Sequence, residues 1–117
     1  MKSWICLLGL RSSGKTTVGR ALSSQMNWDF SDTDQILVTQ EGYSISELFG
    51  IFGESQFRLL ETQCLFNLPP QNLVLATGGG MIENRAAMRY LQKRAICVYL
   101  EVPIGILIQR RNNDPGD

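Results

Sequence analysis

The sequence predicts an α/β protein of three layers, α/β/α, built on a parallel sheet. Three observations carry that prediction. Apolar runs of strand length stand at Trp4–Leu8, Leu73–Thr77 and Ala95–Leu100. They are continuous rather than alternating, as strands buried on both faces are. Segments of helical periodicity separate them, and strands that alternate with helices form parallel sheets covered on both sides.

Each element has a local reason. Trp4–Leu8 is ended by Gly9, and Gly14 to about Met26 reads as a helix with Val18, Ala21, Leu22 and Met26 on one face. Phe30–Ser31 is a short strand leading into Asp32-Thr33-Asp34, and Asp34–Gln40 reads as a helix ending near Gly42. Ser44-Ile45-Ser46-Glu47 has the spacing of a capping box and opens a short helix through Phe52. A longer helix from about Glu54 to Asn67 carries an apolar stripe of Phe57, Leu60, Cys64 and Leu68, and Pro69-Pro70 stops it. Leu73–Thr77 ends at Gly78-Gly79-Gly80, Asn84 to Gln92 is helical, and Ala95–Leu100 is rich in β-branched and aromatic residues. Pro103 opens a last helix to about Arg111, and the polar tail 112–117 reads as a loop.

At 117 residues the chain has room for a single domain, 1–117, with one modest core. Eleven basic residues balance eleven acidic ones, so no overall charge draws the chain to nucleic acid or to an anionic membrane. Cys6, Cys64 and Cys97 are scattered and there is no histidine, which excludes the usual zinc frameworks and suits buried thiols in a reducing compartment. Lys2 followed by Trp4–Leu10 superficially resembles a signal peptide, but the run is short, contains Gly9 and meets Arg11 rather than a cleavage site. A cytoplasmic protein is expected, and no run approaches a membrane span.

Gly9-Leu10-Arg11-Ser12-Ser13-Gly14-Lys15-Thr16 matches G-x-x-x-x-G-K-[ST] at every fixed position, between a strand and a helix. The glycines let the chain turn so that backbone N–H groups face phosphate oxygens, and the helix N-terminus adds donors and partial positive charge. Lys15 has the reach for β- and γ-phosphates, and the Thr16 hydroxyl suits Mg²⁺. At average glycine usage a chance match in such a chain is roughly a 0.5% event, so the motif predicts a nucleoside triphosphate site.

Asp32 and Asp34 follow the second strand, which puts them at the same carboxyl edge as the phosphate loop. One suits the metal or its waters and the other suits an acceptor hydroxyl as base. Either also suits a helix N-cap. Arg58 and Glu61 stand three apart on the long helix. They read either as an exposed ion pair or as a guanidinium that clamps a substrate carboxylate, steadied by Glu61. Gly78, Gly79 and Gly80 either let a ligand approach the backbone or form a plain turn. Thr77 stands where motor-type P-loop ATPases usually end the strand in an acidic residue, which favours a small kinase over a motor.

These residues together resemble the shikimate kinase family over essentially the whole chain. The resemblance rests on Gly14-Lys15-Thr16-Thr17, Asp32-Thr33-Asp34, Phe57-Arg58-Leu59-Leu60-Glu61, Ala76-Thr77-Gly78-Gly79-Gly80, and Val98-Tyr99-Leu100 with Arg110 after it. It implies a P-loop kinase fold with strand order 2-3-1-4-5 and transfer of the γ-phosphoryl of ATP to the 3-hydroxyl of shikimate, in aromatic amino-acid biosynthesis. By position, it implies nucleotide contacts from Gly9, Ser12, Ser13, Gly14, Lys15, Thr16 and Thr17, with Arg110 near the adenine. Mg²⁺ would be held by Thr16 and by Asp32 through water. Asp34 would bind the shikimate hydroxyls and act as base, Arg58 (with Glu61) would bind the carboxylate, and Gly78–Gly80 would line the pocket. A monomer is expected.

Two positions depart from the family pattern. Ser12 stands where family loops commonly carry glycine. The sequence stops at Asp117, where family members continue into a lid with an Arg-Pro pair, a fifth strand and a final helix. The expectation is therefore a C-terminally incomplete kinase domain. The alternatives are a P-loop kinase for another small hydroxylated metabolite such as gluconate, or a non-catalytic nucleotide-binding fragment.

Overall fold

The structure, a computed structural model, describes residues 2–9 and 14–100. The predicted helix after Pro103, the tail 112–117 and the loop residues Leu10, Arg11, Ser12 and Ser13 lie outside them, as does Arg110.

Four strands form one parallel sheet. They are β1 (Trp4–Gly9), β2 (Asp29–Asp32), β3 (Leu73–Ala76) and β4 (Ala95–Leu100), in the order β2-β3-β1-β4. This is the 2-3-1-4 portion of the expected order. The register pairs Leu7 with Ala76, Asp32 with Ala76 and Gly9 with Leu100, so the carboxyl ends of all four strands share one edge. Thr77 continues the β1–β3 ladder by one step, since its backbone N–H and its hydroxyl both donate to the Leu7 carbonyl, at 3.2 and 3.0 Å.

The helices are α1 (Lys15–Met26), α2 (Thr33–Glu41), α3 (Ile45–Phe66) and α4 (Arg85–Arg94), with a single 3₁₀ turn at Met81–Glu83. Side chains alternate along β1. Trp4, Cys6 and Leu8 join Leu65 of α3, Met81, and Met88 and Leu91 of α4 in the main core. Leu7 points to the other face, where α1 lies. Leu37, Leu48, Phe57 and Cys64 form a second cluster between α2 and α3.

Four differences from the expected elements have physical causes. First, α1 does not bury Val18 or Ala21: Val18 is 42% exposed, and Lys15, Gly19 and Ser23 face inward instead. The helix approaches the sheet so closely that a Cβ on Gly19 would lie 2.5 Å from the Phe30 ring and 3.3 Å from Leu7. Small residues therefore occupy the contact face. Second, the two helices expected on either side of Gly53 are both present as the two arms of α3, and they differ from the expectation only in following one another directly, joined at Gly53, whose φ 78 and ψ 168 are non-helical. Third, α3 ends at Phe66, so Leu68 lies beyond it and packs on the main core rather than beside Phe57. Fourth, β4 is not covered on both faces by the described residues, where Ile96 and Tyr99 remain more than half exposed.

Local signals fix the ends of the helices. Ser44 and Glu47 form the expected reciprocal capping box: the Glu47 N–H donates to the Ser44 hydroxyl at 3.1 Å and the Ser44 N–H donates to Glu47 Oε1 at 2.9 Å. Gly42, at φ 79, closes α2 in the left-handed region that suits glycine.

Candidate active site at the carboxyl edge of the sheet

The end of β1 leads through Gly9 to Gly14, which stands at φ 87 and caps α1. Lys15 opens that helix, and its side chain is drawn inward rather than into solvent. It is 5% exposed, and its Nζ donates to the Gly9 carbonyl at 2.9 Å. The ammonium is thus held at the mouth of the phosphate loop. Thr16 is next to it, and its hydroxyl donates to Asp32 Oδ2 at 3.1 Å. Asp32 ends β2 and caps α2, accepting the Gln35 N–H on Oδ1 at 3.3 Å. The helix-cap reading of Asp32 is thus present on one oxygen, and the other oxygen faces Thr16. Thr17 is exposed on the outer side of the helix.

Asp34 sits in the first turn of α2 and reaches toward β3, where any Cβ on Gly78 would overlap its carboxylate. Glycine at 78 thus leaves the Asp34 carboxylate room at this place, and a side chain here would displace it. Its N–H donates to the hydroxyl of Thr33 at 3.2 Å, and Thr33 is completely buried. Lys15, Thr16, Asp32, Asp34, Gly78 and Gly79 line a single cleft of about 600 Å³, with Val38 and Ser44–Ser46 forming its outer wall.

Arg58 stands beside this cleft rather than in its lining. Its guanidinium lies 5.4 Å from the Phe49 ring centre and 5.7 Å from that of Phe57. Nη1 donates to Glu61 Oε1 at 2.9 Å, and a Cβ on Gly80 would lie 2.7 Å from Nη2. The pair is not an exposed one, because the Glu61 side chain is 2% exposed. Glu61 is buried and is not among the residues that line the cleft. Glu83, mostly exposed, approaches Arg58 Nη2 at 4.0 Å from the other side.

Asn84 is the member of this cluster that the sequence reading left as a plain helix start. Its Nδ2 donates to the Arg58 carbonyl at 2.8 Å and to Glu61 Oε1 at 3.1 Å. Its Oδ1 accepts the Ala87 N–H at 3.2 Å and the Thr62 hydroxyl at 3.4 Å. Asn84 therefore caps α4 and holds the Arg58–Glu61 turn of α3 at once. Asparagine just before an apolar helical run signals the cap. Nothing local signals the bonds to α3, which lie more than twenty residues back along the chain.

Two oxygen donors, Thr16 Oγ1 and Asp32 Oδ2, stand 3.1 Å apart beside the phosphate-loop lysine. That pairing suits a hard cation that keeps most of its ligands as water and phosphate, as Mg²⁺ does. Among the described residues no group of three or more acidic, Cys or His side chains forms a denser cage. No helix of the described residues is long and apolar enough to cross a membrane.

The chain was compared with known proteins. The family model described as "SKI: Shikimate kinase" matches residues 11–116. The shikimate kinase of Buchnera aphidicola is 42% identical over 111 residues, covering 94% of this chain and 64% of the relative. That of Aquifex aeolicus is 37% identical over 107 residues, covering 91% and 64%. A solved Acinetobacter baumannii shikimate kinase in complex with shikimate superposes with a TM-score of 0.88 at 38% identity, covering 99% of this chain and 65% of that one. The Bacteroides thetaiotaomicron shikimate kinase gives a TM-score of 0.89 at 31% identity, covering 98% and 69%. The chain thus spans roughly two thirds of the length of the relatives it matches. With its sheet order and its phosphate loop between β1 and α1, the chain belongs to the shikimate kinase family.

Proposed function

We propose that this chain carries out, or supplies most of the site for, transfer of the γ-phosphoryl of ATP to the 3-hydroxyl of shikimate, giving shikimate 3-phosphate and ADP. The observation that carries the reading is the convergence of Lys15, Thr16, Asp32, Asp34 and Gly78 on one cleft. A neighbour with 38% identity was solved with shikimate.

In this reading the backbone from Gly9 through Ser12, Ser13 and Gly14 surrounds the phosphates, and Lys15 leaves the Gly9 carbonyl to bind them. Thr17 and Arg110 complete the nucleotide contacts. Thr16, and Asp32 through water, would hold Mg²⁺, whose charge would offset that on the phosphate oxygens. Asp34 accepts the proton of the shikimate 3-hydroxyl as that oxygen bonds to the γ-phosphorus and the bond to ADP breaks. Gly78 and Gly79 keep the wall thin enough for the ring to reach Asp34. Arg58, set against Gly80, pairs with the shikimate carboxylate, and Glu61 fixes the angle of the guanidinium. We read residues 1–117 as one domain, working in the cytoplasm as a monomer.

The test is ADP release from ATP and Mg²⁺ with shikimate, with gluconate, and with no acceptor. Release that depends on shikimate supports the reading. Release with gluconate but not shikimate refutes the acceptor. Nucleotide binding without turnover for any acceptor refutes catalysis by this chain and leaves a nucleotide-binding protein.

A further inference from the structure

Cys6 and Cys97 were scattered thiols in the sequence, but the sheet makes them neighbours. Cys6 lies on β1, Cys97 lies on β4, and they are direct partners in the parallel register. Both belong to the main core cluster beneath α4, so both side chains leave the sheet on the same face. Neighbouring strands run about 4.8 Å apart. That spacing falls inside the range of roughly 4.4–6.8 Å that a disulfide spans between Cα atoms.

The two thiols are not equivalent. Cys6 is completely buried, whereas Cys97 is only partly so. The Cys6 thiol is pushed well up by its hydrogen bond with Cys97, by burial, and by the charge on its partner. The Cys97 thiol, which can donate to the Ala95 carbonyl at 4.0 Å, is held below the ordinary thiol range by the neighbouring Cys6 thiol and by the Lys2 ammonium, against the opposing effect of burial. The partly exposed Cys97 sulfur is thus the more readily ionised of the two, and the buried Cys6 sulfur is the one that keeps its proton. Cys64, the third cysteine, lies in the separate cluster between α2 and α3, where burial pushes it up to about 11.

We propose that Cys6 and Cys97 form an oxidation site in which hydrogen peroxide or an alkyl peroxide converts a cross-strand dithiol into a reversible disulfide between β1 and β4. The Cys97 thiolate attacks a peroxide oxygen. The O–O bond breaks, Cys97 becomes a sulfenic acid, and hydroxide (or alkoxide) leaves and takes up from solvent the proton that Cys97 released on forming the thiolate. The Cys6 sulfur then displaces the hydroxyl from the Cys97 sulfur, and the Cys6 proton leaves with it as water. The two thiols supply the two electrons that reduce the peroxide. An external thiol reverses the link by exchange. The bridge would fasten β4 to the strand whose end carries the phosphate loop.

The test is peroxide treatment of the whole chain, then tryptic digestion without reduction and mass spectrometry. The expected product is a single-chain link between the peptides spanning residues 3–11 and 95–110, lighter by two hydrogen atoms than their sum and abolished by dithiothreitol. Cys97→Ser, at the more exposed position, is expected to leave Cys6 unmodified under the same treatment. Cys6→Ser is expected to leave a sulfenic acid at Cys97 that dimedone captures. Over-oxidation of Cys97 with Cys6 still a thiol in the parent chain overturns the proposal. So does a link that joins two chains or involves Cys64. Because the parent chain and Cys97→Ser decide the question, a folding failure of Cys6→Ser leaves it answerable.

Discussion

Replacing Asn84 by alanine removes four hydrogen bonds, three that tie the start of α4 to α3 and one that caps α4. The residue is 5% exposed, so water does not replace them readily. Loss of an N-cap costs about 1 kcal/mol. Loss of a buried bond to an ionised carboxylate costs roughly a further 1.5–3 kcal/mol. The shared network argues against simple addition, and about 3 kcal/mol is expected for Asn84→Ala. At about 4 °C per kcal/mol for a domain of this size, the melting temperature falls by roughly 12 °C. The decisive comparison is Asn84→Asp. Aspartate caps a helix as well as asparagine does, so a residue that only caps would tolerate the change. Here the new carboxylate faces Glu61 Oε1, where an N–H had been donating. At neutral pH Asn84→Asp is expected to destabilise at least as much as Asn84→Ala. Urea unfolding at pH 7 measures both variants. An Asn84→Asp chain within about 0.5 kcal/mol of the parent at pH 7 would refute the claim that Asn84 anchors Glu61.

Three further outcomes follow from the site. In Gly78→Ala the new methyl meets the end of the flexible Asp34 side chain, which moves aside. Stability should therefore change little, while turnover with shikimate falls on the order of 10²-fold from a displaced base; an unchanged rate would separate Asp34 from the chemistry. Lys15→Ala should abolish turnover, whereas Asp34→Ala should abolish turnover but retain ATP binding by calorimetry, and near-normal turnover in the latter would remove Asp34 as base. The Glu47 carboxylate is held below its usual range by the Ser44 backbone N–H and then by the Ser44 hydroxyl. Its contribution is therefore complete above the unfolded glutamate value and is lost as pH falls through the lower folded one. Glu47→Gln should flatten the acid limb of the stability curve, and an unaltered limb would show the box to be electrostatically silent.

Features written in short stretches of chain were legible in the sequence. The phosphate loop, the capping box and the three apolar strands each announce themselves within a few residues, and the parallel sheet follows from their alternation. Asp32 and Asp34 were placed at the right edge because strands of a parallel sheet end together. What escaped reading depends on contacts distant in sequence. The burial of α1 is decided by Phe30 and Leu7 pressing on Gly19, so an apolar stripe through Val18 pointed to the wrong face. Arg58 and Glu61 looked like a surface pair because helical spacing says nothing about depth. Asn84 was legible only as the start of a helix, and its role as an anchor was invisible, since those partners sit on a different helix.

The kink in α3 has a consequence of its own. Gly53 adopts φ 78 and ψ 168, a region essentially closed to residues with a side chain. A Cβ there would meet no atom within 4 Å, so crowding is not what selects glycine. The absent side chain works only through the backbone. On one side of this joint lie Ser44, Ile45 and Ser46, which face the cleft, and on the other lies Arg58. The angle between a pocket wall and its neighbouring cation is thus encoded by one dihedral pair. A single methyl at an open surface position would re-aim one against the other while leaving every side chain of the site chemically unchanged.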